Sequence, residues 1–375
     1  MKPVDVLIVG GGPAGLAAAI AASAKGLRVA VIDHRSPPID KTCGEGLLPS
    51  AIAALRELSV PIDSRLGISF TSIAFADENW YACAPISGGC GIGVRRRELH
   101  RLLVEKAEQD RVSLRWGTRI SGIEADGVWT EGEFRRCRWL VGADGQHSVV
   151  RRFAGLDRAR RSNTRFGFRQ HFAIRPWSAA VEVYWGKGVQ LIVTPTAPEE
   201  TCAVVLTSDP RVRIERAIAQ FPQVARRLDG APELSRETGV TTRLSRARAV
   251  IRANVALVGD ASCVMDGISG SGLGLAFQQA LALAEALSRE NLPEYATAHA
   301  RITRIPVRMT QLLLSMGASA RLRRFALRVL SRNPSLFAQL ISWHAGGAPA
   351  STAVGEGVVR EQVDTRVGCH LYEPS

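Results

Sequence analysis

Short apolar runs alternate along the chain with stretches of helix-forming residues, the pattern of strands and helices taken in turn. Val4-Asp5-Val6-Leu7-Ile8-Val9 is long enough for one buried parallel strand. Leu16–Ala22 is a run of good helix formers, and Leu27–Ile32 predicts a second strand that ends at Asp33. Pro49–Leu58 reads as a helix. Residues 60–94 alternate apolar and polar positions between turn residues, as in Ile68-Ser69-Phe70-Thr71 and Ile73-Ala74-Phe75-Ala76. They predict short antiparallel strands inserted into the first domain. Arg95–Gln109 places Leu99, Leu102, Leu103 and Ala107 on one helical face. Val112–Trp116 returns as a strand, and residues 119–140 read as a meander running into Trp139-Leu140-Val141.

From about 160 to 245 the pattern is mostly strands: Phe166–Ile174, Ala180–Trp185, Gln190–Thr194 and Cys202–Thr207, followed by one helix near Arg213–Leu228. This predicts a second, sheet-based domain. Val255–Val258 is another buried strand, and a long helix opens at Gly270-Ser271-Gly272-Leu273-Gly274 and runs to about Arg289. Residues 295–345 read as helical, basic and leucine-rich, punctuated by Pro306 and Pro334. Residues 346–375 contain Gly, Pro, Ser and Thr and read as a poorly ordered tail. There is no internal repeat.

Between the first strand and the first helix, Gly10-Gly11-Gly12-Pro13-Ala14-Gly15 fits G-x-G-x-x-G, and that context makes it a dinucleotide-binding turn. Gly10 allows the tight turn, Gly12 lets the backbone approach a pyrophosphate, and Gly15 lets the helix pack on the strand. The helix starts at Pro13, which has no N–H of its own, and Ala14; its N-terminus offers unpaired N–H groups and a partial positive charge to the phosphates. Asp33 lies eighteen residues past Gly15, where a carboxylate accepts hydrogen bonds from the ribose hydroxyls of an adenosine. A carboxylate there disfavours a 2′-phosphate, so the tightly bound nucleotide is not NADP. The turn alone does not separate FAD from NAD.

A chain of 375 residues with 46% hydrophobic content can bury a large core in two joined domains. The net charge is +13, and only five of the 48 basic residues are lysine. An arginine bias of this kind follows either from genome composition or from attraction to an acidic surface or polyanionic ligand. No zinc finger, RNA-recognition signature or aromatic-spaced basic ribbon is present, which argues against nucleic acid as a partner. The seven cysteines are scattered without a C-x-x-C pair. That argues against a metal centre and a disulfide framework, and predicts a cytoplasmic protein. Val4–Ala24 has the hydropathy of a signal peptide, but Asp5 interrupts it and the glycine turn explains it better. No run of ~18 apolar residues predicts a transmembrane helix.

Two further turns complete a set of three. Gly142-Ala143-Asp144-Gly145 is followed by Ser148 and Arg151, and Ala256-Leu257-Val258 leads into Gly259-Asp260-Ala261-Ser262. With the first turn and Asp33, they resemble, in order and spacing, the FAD-dependent superfamily of group A flavoprotein monooxygenases and geranylgeranyl reductases. That superfamily has the fold of para-hydroxybenzoate hydroxylase. The resemblance covers about residues 4–290. It implies an α/β fold: a Rossmann-like FAD-binding domain from residues 1–160 and 246–290, with a β insertion at 60–94. It also implies a β-sheet substrate domain at 161–245, followed by a helical C-terminal segment at 291–345. FAD is the implied cofactor. With only one dinucleotide fingerprint, NADH or NADPH is expected as a transient electron donor.

Each turn has its own expected task. Gly259-Asp260 at a strand end sets a carboxylate where ribityl hydroxyls pass. Gly270, Gly272, Leu273 and Gly274 open a helix whose N–H groups face the isoalloxazine, where its dipole stabilises negative charge on the reduced ring. Asp144 caps the next helix, and the resemblance implies that it also helps hold the pyrophosphate. Arg96 stands in V-x-R-x-x-L, where the family sets an arginine against the cofactor; Arg95 and Arg97 flank it, and a solvated basic helix start is the alternative.

The sequence departs from the hydroxylase pattern at Cys263 and Gly267, where histidine and proline are usual. Cys43-Gly44-Glu45-Gly46-Leu47-Leu48-Pro49 is similar to the loop of the reductase branch that approaches the flavin ring, although the reductases' aromatic segment is poorly matched at Tyr184-Trp185-Gly186. The W-x-W-x-I-P of flavin halogenases is absent. Cys43 and Glu45 have two readings. In one they face the ring, with Glu45 exchanging a proton. In the other Glu45 caps the following helix and Cys43 is a buried filler. The expected activity is an NAD(P)H- and O2-dependent monooxygenase acting on a hydrophobic aromatic or polyketide-type molecule of secondary metabolism. The alternatives are reduction of isoprenoid double bonds and a non-catalytic flavin-binding or electron-relay role. The segment at 300–345 reads either as a helical lid or as a peripheral contact with the inner membrane face.

Overall fold

The computed structural model describes residues 4–62, 66–87, 89–158 and 164–346. The tail read at 346–375 lies, beyond Gly346, outside the described residues. The first sheet has eight strands. At its centre Val4–Val9 runs parallel to Val29–Ile32 on one side and to Glu133–Gly142 on the other, and Val255–Leu257 pairs in parallel with the far side of Glu133–Gly142. Val6 to Val9 are buried, as strands covered on both faces must be. The chain reverses its order of strands at Val9, and ligands of doubly wound sheets bind at such a point.

The helices Pro13–Ala24, Arg96–Gln109 and Gly272–Ser288 cover this sheet. Pro13–Ala24 is apolar on nearly every side because it is sandwiched between the sheet and Gly272–Ser288.

The second sheet has seven strands in the order Thr238–Arg243, Thr164–Phe172, Glu200–Thr207, Val189–Ala197, Ala180–Trp185, Ser72–Ala76, Tyr81–Pro85. Its last two members come from the segment read as an insertion of the first domain. Ser72–Ala76 runs parallel to Ala180–Trp185, so it extends the second sheet, where the sequence predicts antiparallel strands within the first domain. Alternation fixes which face of a strand is buried but not which strand it pairs with. A small third sheet, Gly46–Leu47, Gly91–Gly93 and Ile68–Phe70, is antiparallel.

The faces of the second sheet divide cleanly. Leu191, Val193 and Val205 pack under the helices Ile214–Ile218 and Pro222–Leu228. Their neighbours Ile192, Val204 and Leu206 face the other way, toward Leu313, Met316 and Leu327 of the C-terminal helices. The single helix read at Arg213–Leu228 is therefore two, broken at Phe221-Pro222 because Pro222 lacks an N–H and starts a new helix.

Three helices close the described chain: Leu292–Ala318, Ala320–Arg332 and Pro334–Ala345. Pro306 does not punctuate the first of them but lies inside it, and the hydroxyl of Thr310 donates to the Pro306 carbonyl at 2.8 Å. The break falls instead at Ser319, whose hydroxyl accepts from the Leu322 N–H of the next helix.

Candidate functional site

The three glycine turns meet because their strands end side by side. Val9 pairs with Gly142, and Gly142 pairs with Leu257. The Ala143 N–H then donates to the Val9 carbonyl at 2.8 Å, and the Val258 N–H to that of Gly142 at 2.9 Å. Gly10 has a φ of +111°, and a Cβ there would lie 2.4 Å from the Ala143 carbonyl oxygen. At Gly15 a Cβ would lie 1.8 Å from the Gly10 carbonyl oxygen, so the helix can sit this close only without a side chain. Arg151 ties the second turn to the third: its guanidinium donates to the Gln146 carbonyl at 2.7 Å and to the Ala261 carbonyl at 2.9 Å. From the other side His100 Nε2–H donates to the Gly11 carbonyl at 2.9 Å.

A continuous cavity of roughly 920 Å3 runs from these turns to the C-terminal helices. Of the residues singled out in the sequence, Gly10, Gly12, Pro13, Ala14, Asp33, Cys43, Glu45, Arg96, Asp144, Gly259, Asp260, Gly270, Gly272 and Leu273 line it. Gly15 and Gly274 do not. Gly15 is the packing contact just described, and Gly274 fits against Ala51, whose Cβ would be 3.3 Å from an added one. Gly274 therefore brings the Gly272–Ser288 helix onto Pro49–Glu57 and does not present its face to a ligand.

The turn end of the cavity suits an elongated dinucleotide, with a carboxylate for a ribose and helix starts for negative charge. Asp33 accepts from the Gly11 N–H at 2.8 Å through Oδ2 and from the Arg35 N–H at 2.8 Å through Oδ1, which fixes its carboxylate at the end of the second strand. The helices that start at Pro13 and Gly272 both open on the cavity with no side-chain cap, so their first N–H groups are free for an anion. A Cβ at Gly12, Gly270 or Gly272 would meet nothing within 4 Å, so at all three the backbone borders open space.

At the turn end of the cavity two buried polar atoms, Arg96 Nε and Asp144 Oδ1, have no partner among the described residues. Burial holds the Arg96 guanidinium below its ordinary pKa, against the opposing charges of Cys43, Asp260, Asp40 and Glu45. Burial likewise raises the Asp144 carboxyl, although hydrogen bonds from Ser148, Val149 and Val150 oppose the rise. Unpartnered buried groups of this kind are costly unless a ligand completes them. Arg95 is committed elsewhere, to the Glu200 carboxylate, and Arg97 is exposed, so Arg96 is the arginine of the three that lines the cavity. Asp260 forms an ion pair with Lys41 at 2.6 Å at the edge of the groove.

Glu45 is the centre of a buried network that neither reading of the sequence contains. Its residue is 2% exposed and has a φ of 59°, the left-handed region that non-glycine residues seldom occupy. Oε1 accepts from the Arg96 N–H at 3.0 Å and from Arg169 Nη1 at 2.9 Å. Oε2 lies 2.6 Å from His171 Nε2, and His171 Nδ1 lies 2.9 Å from the Ser235 hydroxyl. Arg169 also grips Asp40 at 2.8 Å. Glu45 thus caps the start of the Arg96–Gln109 helix and not the helix that follows it, which starts at Pro49 without a side-chain cap. Glu45, His171 and Cys202 bring three possible metal ligands within 4.8 Å of one another. With Arg169 already on the carboxylate, hydrogen bonding and not a cation satisfies the cluster.

Beyond the turns the cavity becomes apolar. Val181, Val183, Ile192, Val204 and Leu206 of the second sheet form one wall, and Met309, Leu313, Phe337 and Ile341 of the C-terminal helices form the other. His344 is a polar exception. Its Nε2–H donates to the Ser269 carbonyl at 2.7 Å, and its Nδ1 is buried without a partner. Burial lowers its pKa, with the Ser269 bond opposing. The neutral ring therefore carries a free acceptor at the cavity. Arg169, His171 and His344 carry no local mark in the sequence, since the first two lie on a strand more than 120 residues from Glu45 and the third lies near the end of a helix that reads only as amphipathic.

Comparison with known proteins agrees with this geometry. Residues 3–292 match the family described as FAD binding domain. A 6-methylpretetramide 4-monooxygenase of Streptomyces rimosus is 27% identical over 88% of this chain and 90% of its own. A menaquinone reductase of Mycolicibacterium smegmatis is 32% identical over 40% of each chain, so the match spans about two fifths of that relative's length. A flavoprotein/dehydrogenase from Cytophaga hutchinsonii shares the fold at a TM-score of 0.79, with 20% identity over 92% of this chain and 93% of its own. The match over residues 3–292, on a chain whose three turns frame one elongated groove, places the protein in the FAD binding domain family, a family of flavin-dependent oxidoreductases.

Proposed function

We propose that the chain is a monooxygenase that hydroxylates a hydrophobic aromatic molecule, with FAD as resident cofactor and NADH or NADPH as transient electron donor. The observation that carries this reading is the shape of the cavity: a polar groove with two uncapped helix starts continues into an apolar chamber with an unpartnered acceptor, His344 Nδ1. A relative that spans 88% of the chain, a monooxygenase by name, points the same way.

Bound FAD supplies the two-electron redox chemistry and the activation of O2. The chain does the rest. Arg96 and the free N–H group of Ala14 at the start of the first helix hold the diphosphate, and the Asp33 carboxylate accepts from the ribose. The start of the Gly272–Ser288 helix steadies negative charge on the reduced ring. Val183, Ile192 and Leu206 exclude water from the reacting face. His344 Nδ1 accepts the substrate's phenolic O–H, which orients the ring and increases its electron density.

A specific observation favours a second reading, reduction of a carbon–carbon double bond. Such a reduction needs a proton as well as a hydride, and Glu45, His171 and the half-buried Ser235 form a hydrogen-bonded path that reaches the cavity. One experiment separates the two. The protein is reduced without oxygen and then given 18O2 and a panel of hydrophobic phenols. The monooxygenase reading expects label in the product and substrate-stimulated NAD(P)H use, both reduced at least tenfold in His344→Phe. Conversion of polyprenyl substrates without oxygen would replace it with the second reading, and reduction without turnover of either class would leave a flavin carrier.

A further inference from the structure

We propose that the three C-terminal helices form a docking face for an anionic lipid bilayer, holding the rim of the substrate cavity against the acyl chains. The proposal deepens the reading above, since it rests on the substrate being apolar. Exposed large apolar side chains gather on these helices: Ile305, Leu312, Leu322, Phe325, Leu336 and Trp343, with Phe325 67% exposed. Four of them, Leu312, Leu322, Phe325 and Leu336, also line the cavity. The exposed apolar surface and the inside of the chamber are therefore one continuous surface, and the four residues are its rim.

Charge identifies the partner. Residues 301–346 carry eight arginines and neither aspartate nor glutamate. On the middle helix, exposed Arg321, Arg324 and Arg328 recur at i, i+3 and i+7, beside Leu322 and Phe325. Arg323 turns inward instead, to Asp77 at 3.3 Å. A second copy of the chain would set arginine against arginine across a two-fold axis. A nucleic acid would satisfy the arginines and leave Phe325 and Trp343 in water. An anionic bilayer takes the apolar residues below its headgroups and the arginines among them. No helix among the described residues is long and apolar enough to cross a membrane, so the face lies on the bilayer and does not span it.

Flotation of the full-length, FAD-loaded protein tests this, with vesicles of phosphatidylcholine alone and of phosphatidylcholine mixed with phosphatidylglycerol. The protein should float with the anionic vesicles only and be released by salt. The triple change Arg321→Gln, Arg324→Gln and Arg328→Gln, none of which lines the cavity, should weaken binding on the order of a hundredfold. Trp343→Ser, also away from the cavity, should weaken it as well while FAD content stays unchanged. Failure to float with either vesicle, equal flotation with both, or a dimer that the triple change dissolves would each overturn the proposal. FAD content is read on the same samples. A protein that takes up no FAD overturns the flavin reading, and flotation still decides the docking face.

Discussion

At the scale of single residues, Glu45 carries more than its place in a glycine-rich loop suggests. Its carboxylate joins the loop at Cys43–Pro49, the start of the Arg96–Gln109 helix and the Thr164–Phe172 strand of the second sheet. Removing one partner of a buried ion pair leaves the other desolvated and unpaired. Glu45→Ala should therefore destabilise the protein by about 3 kcal/mol, measured by chemical denaturation. A loss below about 0.5 kcal/mol, the range of an ordinary surface change, would show that the network does not hold the loop.

His299 makes a second prediction at this scale. Its Nε2 lies 2.9 Å from the Ser262 hydroxyl beside the third turn, and burial lowers its pKa from 6.5 to about 4. Above pH 6.5 the ring is neutral in both the folded and unfolded chain. As pH falls from 6.5 toward 4, only the unfolded chain takes up the proton, and stability is lost by about 3 kcal/mol in total. Denaturation midpoints across that window should show this slope, and His299→Leu should flatten it. An unchanged slope in His299→Leu would contradict the assignment.

At the scale of elements, the two glycines of the first turn separate packing from binding. Gly15→Ala puts a methyl group 1.8 Å from the Gly10 carbonyl oxygen, so the fingerprint helix must move, at a cost of about 2 to 3 kcal/mol. Gly12→Ala meets nothing within 4 Å in the protein itself. It should leave stability within about 0.5 kcal/mol of the parent and still weaken FAD binding at least tenfold, because its methyl group enters the space kept for the pyrophosphate. Thermal melts of the apoprotein beside FAD titrations check both. If Gly12→Ala binds FAD normally, the backbone at that position is not in contact with the cofactor.

The elements also show what was legible in the sequence. The three turns could be read because each is local: a strand, a glycine step and a helix start lie within eighteen residues. The partner of Ser72–Ala76 could not be read, because its alternation is equally satisfied by an antiparallel neighbour in the first domain and by Ala180–Trp185, with which it pairs. Pro306 misled for a related reason. Proline usually ends a helix, but here the helix continues through it, with Thr303, Pro306 and Thr310 buried on one face. His171 and Arg169 escaped because polar residues on a mostly buried strand carry no local mark of the carboxylate they meet.

At the scale of the whole molecule, the cavity lies between two sheets and three helices, so the groove is assembled from segments far apart in the chain. Phe75 joins the layers, with its ring 5.1 Å from that of Trp185 and 4.8 Å from that of Phe337 in the last helix. A ligand spanning the turns should then stabilise the molecule as a unit. At about a hundred times its dissociation constant, FAD should add about 2.7 kcal/mol to the stability of the apoprotein.

The account depends on three distant turns gripping one extended cofactor, and the most direct test is the FAD content of the gently purified protein, read from its absorbance and from titration of the apoprotein. The account predicts a yellow protein that binds one FAD per chain and loses it in Gly12→Ala while keeping its fold. A colourless protein that takes up no FAD when FAD is supplied would contradict it.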